Sequence, residues 1–257
     1  MLTLDLGNTS ASVAWFDRGA AHALASLAVG ELDTPVLEGC LERAGVRPSR
    51  AAVSAVGDPA EERRVCRLLE GLGLEVSCNP DPGLELRIDH PETCGRDRLY
   101  AALGAVQSTE FPAPQPPGGL LVIDAGTALT VDAVALGSSG GTFLGGAIAP
   151  GPGTLAGSLS SAGARLPGFS VRPGAPALGR STEEALRSGV VVGFRGAVQA
   201  LCAAIRREAF DPEATVHGVL TGGAREFARE GVGVALGAPP REEPLLVHLG
   251  LAAASLR

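Results

Sequence analysis

Lysine is missing from this 257-residue chain, so all 21 of its basic residues are arginine. A phosphate loop built around a lysine ammonium is thereby excluded. Any grip on phosphate must come from backbone N–H groups, arginine, hydroxyls or a metal ion. Aromatic residues are scarce, at 4% of a chain that is 45% hydrophobic. The core must therefore be built from Ala, Val and Leu, which suits close packing of helices on sheets. A positive field is lacking too: the net charge is −7, and no arginine stripe is interleaved with aromatics, which argues against nucleic acid as a partner. No apolar run reaches the roughly 20 residues that span a bilayer. The N-terminus enters a strand without a basic region or a cleavable apolar segment, so no membrane association and a cytoplasmic location are expected. The five cysteines (Cys40, Cys66, Cys78, Cys94, Cys202) are odd in number, widely spaced and free of any Cys-x-x-Cys pair. That pattern argues against a zinc site and a disulfide framework, and predicts reduced, mostly buried thiols.

What is present is a repeated device. Leu4-Asp5-Leu6-Gly7-Asn8-Thr9 is echoed by Ile123-Asp124-Ala125-Gly126-Thr127, almost half a chain away. In both places an apolar run ends in Asp, a spacer, Gly and a polar or hydroxyl residue, and strand character then resumes. Each Gly is expected in a hairpin turn whose N–H groups are open to phosphate oxygens, with the Asp at the strand end orienting a cation or water. Two copies at this separation imply two related domains, here divided as residues 1–112 and 118–257, and a clamp for a nucleotide triphosphate.

The rest of the chain alternates between strand and helix patterns, which predicts an α/β layer structure. In the first half, strands are expected at 21–29, 51–56, 74–77 and 84–88, with helices at 34–44, 59–72 and 96–107. Residues 111–119, rich in Pro and Gly, read as an extended connector. In the second half a strand is expected at 142–149, then a helix at 154–164. A capping box from Ser181 to Glu184 opens a helix that runs to Glu208. Within it, Gly189, Gly193 and Gly196 suggest a close helix–helix contact. A strand at 215–220 and a helix at 244–256 end the chain.

A third carboxylate lies between the two turns, in Thr93-Cys94-Gly95-Arg96-Asp97-Arg98. Asp97 falls in the first turn of an expected helix, where the helix dipole favours its ionised form. A carboxylate so placed can orient an acceptor hydroxyl in phosphoryl transfer and take its proton late. Arg96 and Arg98 can bind a substrate carboxylate or the charge on a transferring phosphoryl group.

Together these segments resemble the type III pantothenate kinase family, within the acetate and sugar kinase, Hsp70 and actin superfamily. Asp5 to Thr9 is similar to the family's first phosphate motif, and Gly95-Arg96-Asp97-Arg98 to its Gly-x-Asp-Arg substrate motif. Asp124 to Thr127 resembles the second phosphate motif, Gly145 to Gly151 its glycine-rich segment, and Thr221-Gly222-Gly223 a further counterpart. The resemblance implies two domains of the actin-like, ribonuclease H-like ATPase type, each a mixed sheet flanked by helices. It implies ATP-dependent phosphorylation of pantothenate to 4′-phosphopantothenate, the first step of coenzyme A biosynthesis, with Asp97 as general base. ATP would lie against Asp5, Leu6, Gly7, Asn8, Thr9, Ser10, Ala11 and Ser12, with Thr127 meeting it from the other domain. Mg2+ would accompany ATP beside Asp5, and Asp124 would hold a monovalent cation, K+ or NH4+. Gly95, Arg96, Asp97, Arg98 and Thr182 would line the pantothenate pocket, and a homodimer is implied. The chain departs from the family at Cys94, where members often carry an aliphatic residue, and at Ile88 to Pro91, where an aromatic is usual. A non-catalytic nucleotide-binding transcriptional accessory factor and a same-superfamily kinase for another small metabolite are the alternatives, because fold does not fix function.

Overall fold

Strand β1 (Leu2–Leu6) carries leucine at every second position, and that alternation decides which face meets which helices. The structure, a computed structural model, describes residues 1–108, 118–137, 140–162 and 169–257. Leu2, Leu4 and Leu6 are buried with Ala11 and Val13 of β2 (Ser10–Asp17) and with Ala51 and Val53 of β4 (Arg50–Ala55). Helices α1 (Thr34–Ala44) and α2 (Pro59–Gly71) close over this cluster with Leu37, Val65 and Leu69. Both helices begin on an aspartate cap followed by proline in the first turn. Asp33 accepts from the Val36 N–H at 2.9 Å, and Asp58 from the Ala60 N–H at 2.8 Å. Strand β3 (Ala20–Ala28) follows β2 through Arg18 and Gly19, whose φ values of 49° and 84° make a hairpin turn. Strands β5 (Glu75–Cys78) and β6 (Glu85–Leu86) follow α2.

The other face of this sheet bears Thr3, Asp5, Ser12, Ala14, Ala52 and Ser54, small or polar residues that leave room for helix backbone. It receives α3 (Arg96–Gln107) and α7 (Leu246–Ser255). The two helices meet at glycines. A Cβ on Gly250 would collide with the Tyr100 carbonyl oxygen, and one on Gly104 with that of Leu246. The C-terminal helix, assigned to residues 118–257 in the sequence division, thus packs on the first sheet, and the chain divides into Met1–Phe111 with Leu245–Arg257 and Pro112–Pro244.

The second unit repeats the plan of the first. Its strands are β7 (Gly118–Ala125), β8 (Ala128–Gly137), β9 (Gly140–Pro150), β10 (Thr215–Thr221) and β11 (Arg241–Glu242). Their order is β9-β8-β7-β10-β11, against β3-β2-β1-β4-β5 in the first. In each, the first strand pairs antiparallel with the second and parallel with the fourth, and the outer hairpin carries a register shift, at Val13/Ala14 and at Ala133/Val134. The duplication expected from the echo is therefore a duplication of topology. Helices α4 (Pro152–Ala162), α5 (Thr182–Ala209) and α6 (Arg225–Leu236) complete this unit.

Several expectations change. Helix α6 and strand β11 were not foreseen. Gly118 and Gly119 belong to β7 rather than to a connector; residues 111–117 of that stretch, and 163–164 of the fourth helix, lie outside the described residues. A Cβ on Gly189, Gly193 or Gly196 would meet open space, so these glycines make no close helix contact. Gly231 of α6 does so instead, since a Cβ there would stand 2.6 Å from the Arg195 carbonyl oxygen of α5. Ser181 caps α5 by accepting from the Glu184 N–H at 3.2 Å, but Glu184 reaches back to the Arg180 N–H rather than to that of Ser181. Helix α5, 28 residues long, is apolar enough by length and composition to cross a membrane, contrary to the reading that no run is long enough. Its Phe194, Val198 and Cys202 are nonetheless buried in the second unit's core. Cys66 and Cys78 form a disulfide, which corrects the expectation of free thiols: α2 returns through Gly73 into β5 and brings the two together. Cys40, Cys94 and Cys202 are not in disulfides, and burial pushes the Cys202 thiol up to about 12. Arg64 of α2 donates to the carbonyls of Leu32 at 2.7 Å and Val29 at 3.0 Å, which ties the helix to the segment before α1.

Gly250→Ala tests the α3–α7 contact. Forcing a methyl group against the Tyr100 carbonyl should cost about 3 kcal/mol and lower the melting temperature by roughly 6–12 °C in a calorimetric scan. A change within about 1 °C would mean that the helices can separate without cost.

Candidate active site

Asp5 stands one residue before the end of β1, and strand pairing places a hydroxyl in register on either side of it. Ser12 lies across from it on β2 and Ser54 on β4. The second unit repeats the row: Asp124 of β7 has Thr130 of β8 and Thr221 of β10 in register. The two turns then differ. In the first, Leu6 pairs with Ala11, so residues 7–10 make the loop and the Gly7 N–H donates to the Ser10 carbonyl at 2.9 Å. In the second, Ala125 pairs with Leu129, the loop is one residue shorter, and the Gly126 N–H donates to the Ala128 carbonyl at 2.8 Å. Asn8, Thr9 and Ser10 are exposed on the first turn, whereas Leu6 and Ala11 are buried, so those two can offer only backbone to a ligand.

The Asp5 carboxylate accepts from Ser54 Oγ at 2.9 Å. Burial, helped by the negative charge of Asp97, pushes its pKa up to about 6 despite that hydrogen bond. Among the described residues no three His, Cys, Asp or Glu side chains converge. A divalent ion at Asp5 would thus keep water or ligand oxygens for most of its shell.

Asp97 is in the first turn of α3, as expected, and Gly95 is the cap residue before it. Its Oδ1 accepts from the Arg98 N–H at 2.8 Å, which ties the carboxylate to the helix end. A Cβ on Gly95 would lie 2.5 Å from the same oxygen, so the glycine of Gly-x-Asp-Arg is needed to let the carboxylate fold over the helix start. Burial moves the Asp97 pKa upward, and the Arg98 N–H and guanidinium only partly offset it. The helix end was expected to favour the ionised form; desolvation outweighs it and leaves a more basic carboxylate.

In the second unit Gly222, at φ 91°, lies over Asp124: a Cβ there would collide with Asp124 Oδ1 and with the Ala125 carbonyl oxygen. The Ala224 N–H donates to that carbonyl at 2.7 Å. Carboxylate and carbonyl oxygens gathered around a glycine form a hard-oxygen environment suited to a monovalent cation. Thr127 is exposed at the turn, and its carbonyl accepts from the Gly151 N–H at 2.9 Å and from Thr154 Oγ1 at 2.6 Å. Those contacts explain the glycine-rich segment before α4, since a Cβ on Gly151 would strike the Gly126 carbonyl. Thr182 is exposed in the first turn of α5.

Two participants of the first unit escaped the sequence reading. Ser54 is a buried hydroxyl in a strand of Ala and Val, where its polarity is the signal. His248 is a buried polar residue in the first turn of the apolar helix α7; its Nε2 lies 2.9 Å from Ser12 Oγ.

A family model for type III pantothenate kinase matches residues 1–204. The chain belongs to the type III pantothenate kinase family. Relatives include the type III pantothenate kinase of Thermus thermophilus, 35% identical over 237 residues and covering 89% of each chain. That of Streptomyces coelicolor is 32% identical over 239 residues, covering 87% of this chain and 86% of its own. Among solved structures, a Campylobacter jejuni protein described as a Baf family transcriptional activator gives a TM-score of 0.58 at 18% identity, covering 99% of this chain and 96% of its own. A chain of the PilM-PilN type IV pilus biogenesis complex gives 0.54 at 12%, covering 100% and 98%. At such identities the likeness concerns fold, and the fold is the actin-like ATPase type. For a type III pantothenate kinase family member, the matched span contains every motif residue from Asp5 through Thr182.

The electrostatics of this site can be read directly. A carbon-13 titration of the Asp5 carboxyl should give a midpoint of about 6. Ser54→Ala should raise that midpoint, because a hydrogen bond to the ionised form is lost, and Asp97→Asn should lower it, because a like charge is removed. A midpoint near the ordinary carboxylate value of about 4 in the unsubstituted protein would contradict the buried environment described.

Proposed function

We propose that this protein transfers the γ-phosphoryl group of ATP to the hydroxyl of pantothenate, giving 4′-phosphopantothenate. The observation that carries the reading is the Asp97 carboxylate, tied to the start of α3 by the Arg98 N–H and made more basic by burial. A loose phosphoryl-transfer transition state asks little of a base beyond orienting the hydroxyl and accepting its proton late, and Asp97 fits that demand. In the first unit Gly95, Arg96 and Arg98 then contact pantothenate, and the exposed turn of Gly7, Asn8, Thr9 and Ser10, the backbone of Leu6 and Ala11, and Ser12 contact ATP. In the second unit Thr127 is assigned to nucleotide and Thr182 to pantothenate by the family motifs alone. Asp5 serves the Mg2+ that travels with ATP, neutralising charge on its phosphates. Asp124 takes a monovalent cation, K+ or NH4+. With no lysine in the chain, positive charge for the transferred group falls to arginine and these ions. We place the enzyme in the cytoplasm as a homodimer that binds neither nucleic acid nor membrane.

A non-catalytic nucleotide-binding regulator would need neither Gly95 to Arg98 nor a basic carboxylate beside them, so the kinase reading is the better supported. Purified protein supplied with ATP, Mg2+, K+ and pantothenate should form 4′-phosphopantothenate, detected by mass spectrometry. A folded protein that yields none would overturn the assignment. Asp97→Asn should lower kcat by about 10²–10⁴ with little change in melting temperature. A rate near that of the unsubstituted enzyme would remove Asp97 from the base role.

A further inference from the structure

His248 is 3% exposed and bridges two rows of the first sheet. Its Nδ1 lies 3.0 Å from Thr3 Oγ1, and its Nε2 lies 2.9 Å from Ser12 Oγ. Both ring nitrogens face hydroxyls, so the tautomer decides which of them donates. Thr3 Oγ1 is also 3.2 Å from the Ala14 carbonyl oxygen, which can only accept, and we assign the single Thr3 hydroxyl proton to that bond because the hydroxyl then keeps both contacts. The Thr3 oxygen must then accept from His248, which assigns the imidazole proton to Nδ1 and leaves Nε2 as an acceptor. Burial keeps the ring neutral, its pKa pushed down to about 4. Ser12 therefore donates its hydroxyl proton to Nε2. Its oxygen retains lone pairs and has no proton to offer a phosphate. Ser12 is partly exposed, in register with Asp5 and on the same face.

We propose that His248 is a positioning residue that takes the Ser12 proton and thereby makes Ser12 Oγ and the Asp5 carboxylate a paired set of acceptors for the hydrated divalent cation that accompanies ATP. The inference rests on the ATP site assigned above, and it changes one part of it: Ser12 serves the cation and its water rather than the phosphates. A hydroxyl free to turn would donate to a phosphate oxygen; one committed to a buried imidazole presents only acceptors.

The test is a Mg2+ titration of fluorescent ATP-analogue binding to the full chain, with the melting temperature of every variant recorded. Ser12→Ala removes the acceptor. His248→Asn keeps an N–H near the Nδ1 position for Thr3 but does not reach Ser12. Each should raise the half-saturating Mg2+ concentration about 5–10-fold, and the double variant no further than either alone, because both break one interaction. His248→Gln, whose longer amide reaches the Nε2 position, should recover most of the loss. Metal-free analogue binding to His248→Asn should move less than about twofold. As a readout independent of any ligand, nitrogen-15 shifts should show His248 protonated at Nδ1 and bare at Nε2. A proton on Nε2, additive effects of the two substitutions, or an equal loss of metal-free binding would overturn the proposal, the last by placing Ser12 on the phosphates. Unsubstituted protein that binds Mg2+ and nucleotide as described yet forms no phosphopantothenate would overturn the function assigned above and leave the His248 result standing.

Discussion

Gly104 and Gly250 let α3 and α7 touch through their backbones, and the positions of the polar groups in the first unit follow from that contact. A helix pair separated by ordinary side chains would stand farther apart, and could not lie so closely against the small residues of the polar sheet face. Because the crossing is fixed, the start of α3 carries Asp97 close enough to Asp5 for its charge to help raise the Asp5 pKa, and α7 carries an imidazole beneath Ser12. The small residues Ala14 and Ala52, beside Thr3 in register, belong to the same constraint: larger side chains there would lift both helices from the sheet.

The duplicated rows have diverged where their chemistry requires it. A hydroxyl on either side of a carboxylate is common to both units, but the turn after Asp124 is one residue shorter, and Gly222, after β10, packs its backbone closely over the Asp124 carboxylate and the Ala125 carbonyl. The turn after Asp5 instead leaves three consecutive polar residues exposed. The second turn is thus crowded at its carboxylate, whereas the first leaves its turn open.

Much of the first unit was legible because its signals are local. Asp33 and Asp58 before proline, Gly45 after α1 and the leucine alternation of β1 each state a boundary or a face within a few residues. The echo of Asp5 at Asp124 was legible for the same reason, and it extended to whole-sheet topology. What was not legible depends on distant pairing. Ser54 and Thr221 become neighbours of the aspartates only through parallel strand register. His248 lies in a helix assigned to the wrong unit, because nothing in 244–256 says which sheet it will cover. Gly189, Gly193 and Gly196 look like a contact stripe but face open space, while the isolated Gly231 makes the contact; spacing alone cannot tell a packing glycine from an exposed one. The Cys66–Cys78 disulfide escaped because a count of cysteines carries no information about which helix folds back on which strand.

The absence of lysine acquires a physical meaning at this site. Two carboxylates, Asp5 and Asp97, are held within one unit and withdrawn from water, which raises the cost of ionising both, and the charge of Asp97 adds to that cost at Asp5. A lysine ammonium nearby would neutralise them permanently and make Asp97 a weaker base. Arg98 offsets only part of the burial of Asp97, and Ser54 only part of that of Asp5, so both carboxylates stay more basic than they would be in water.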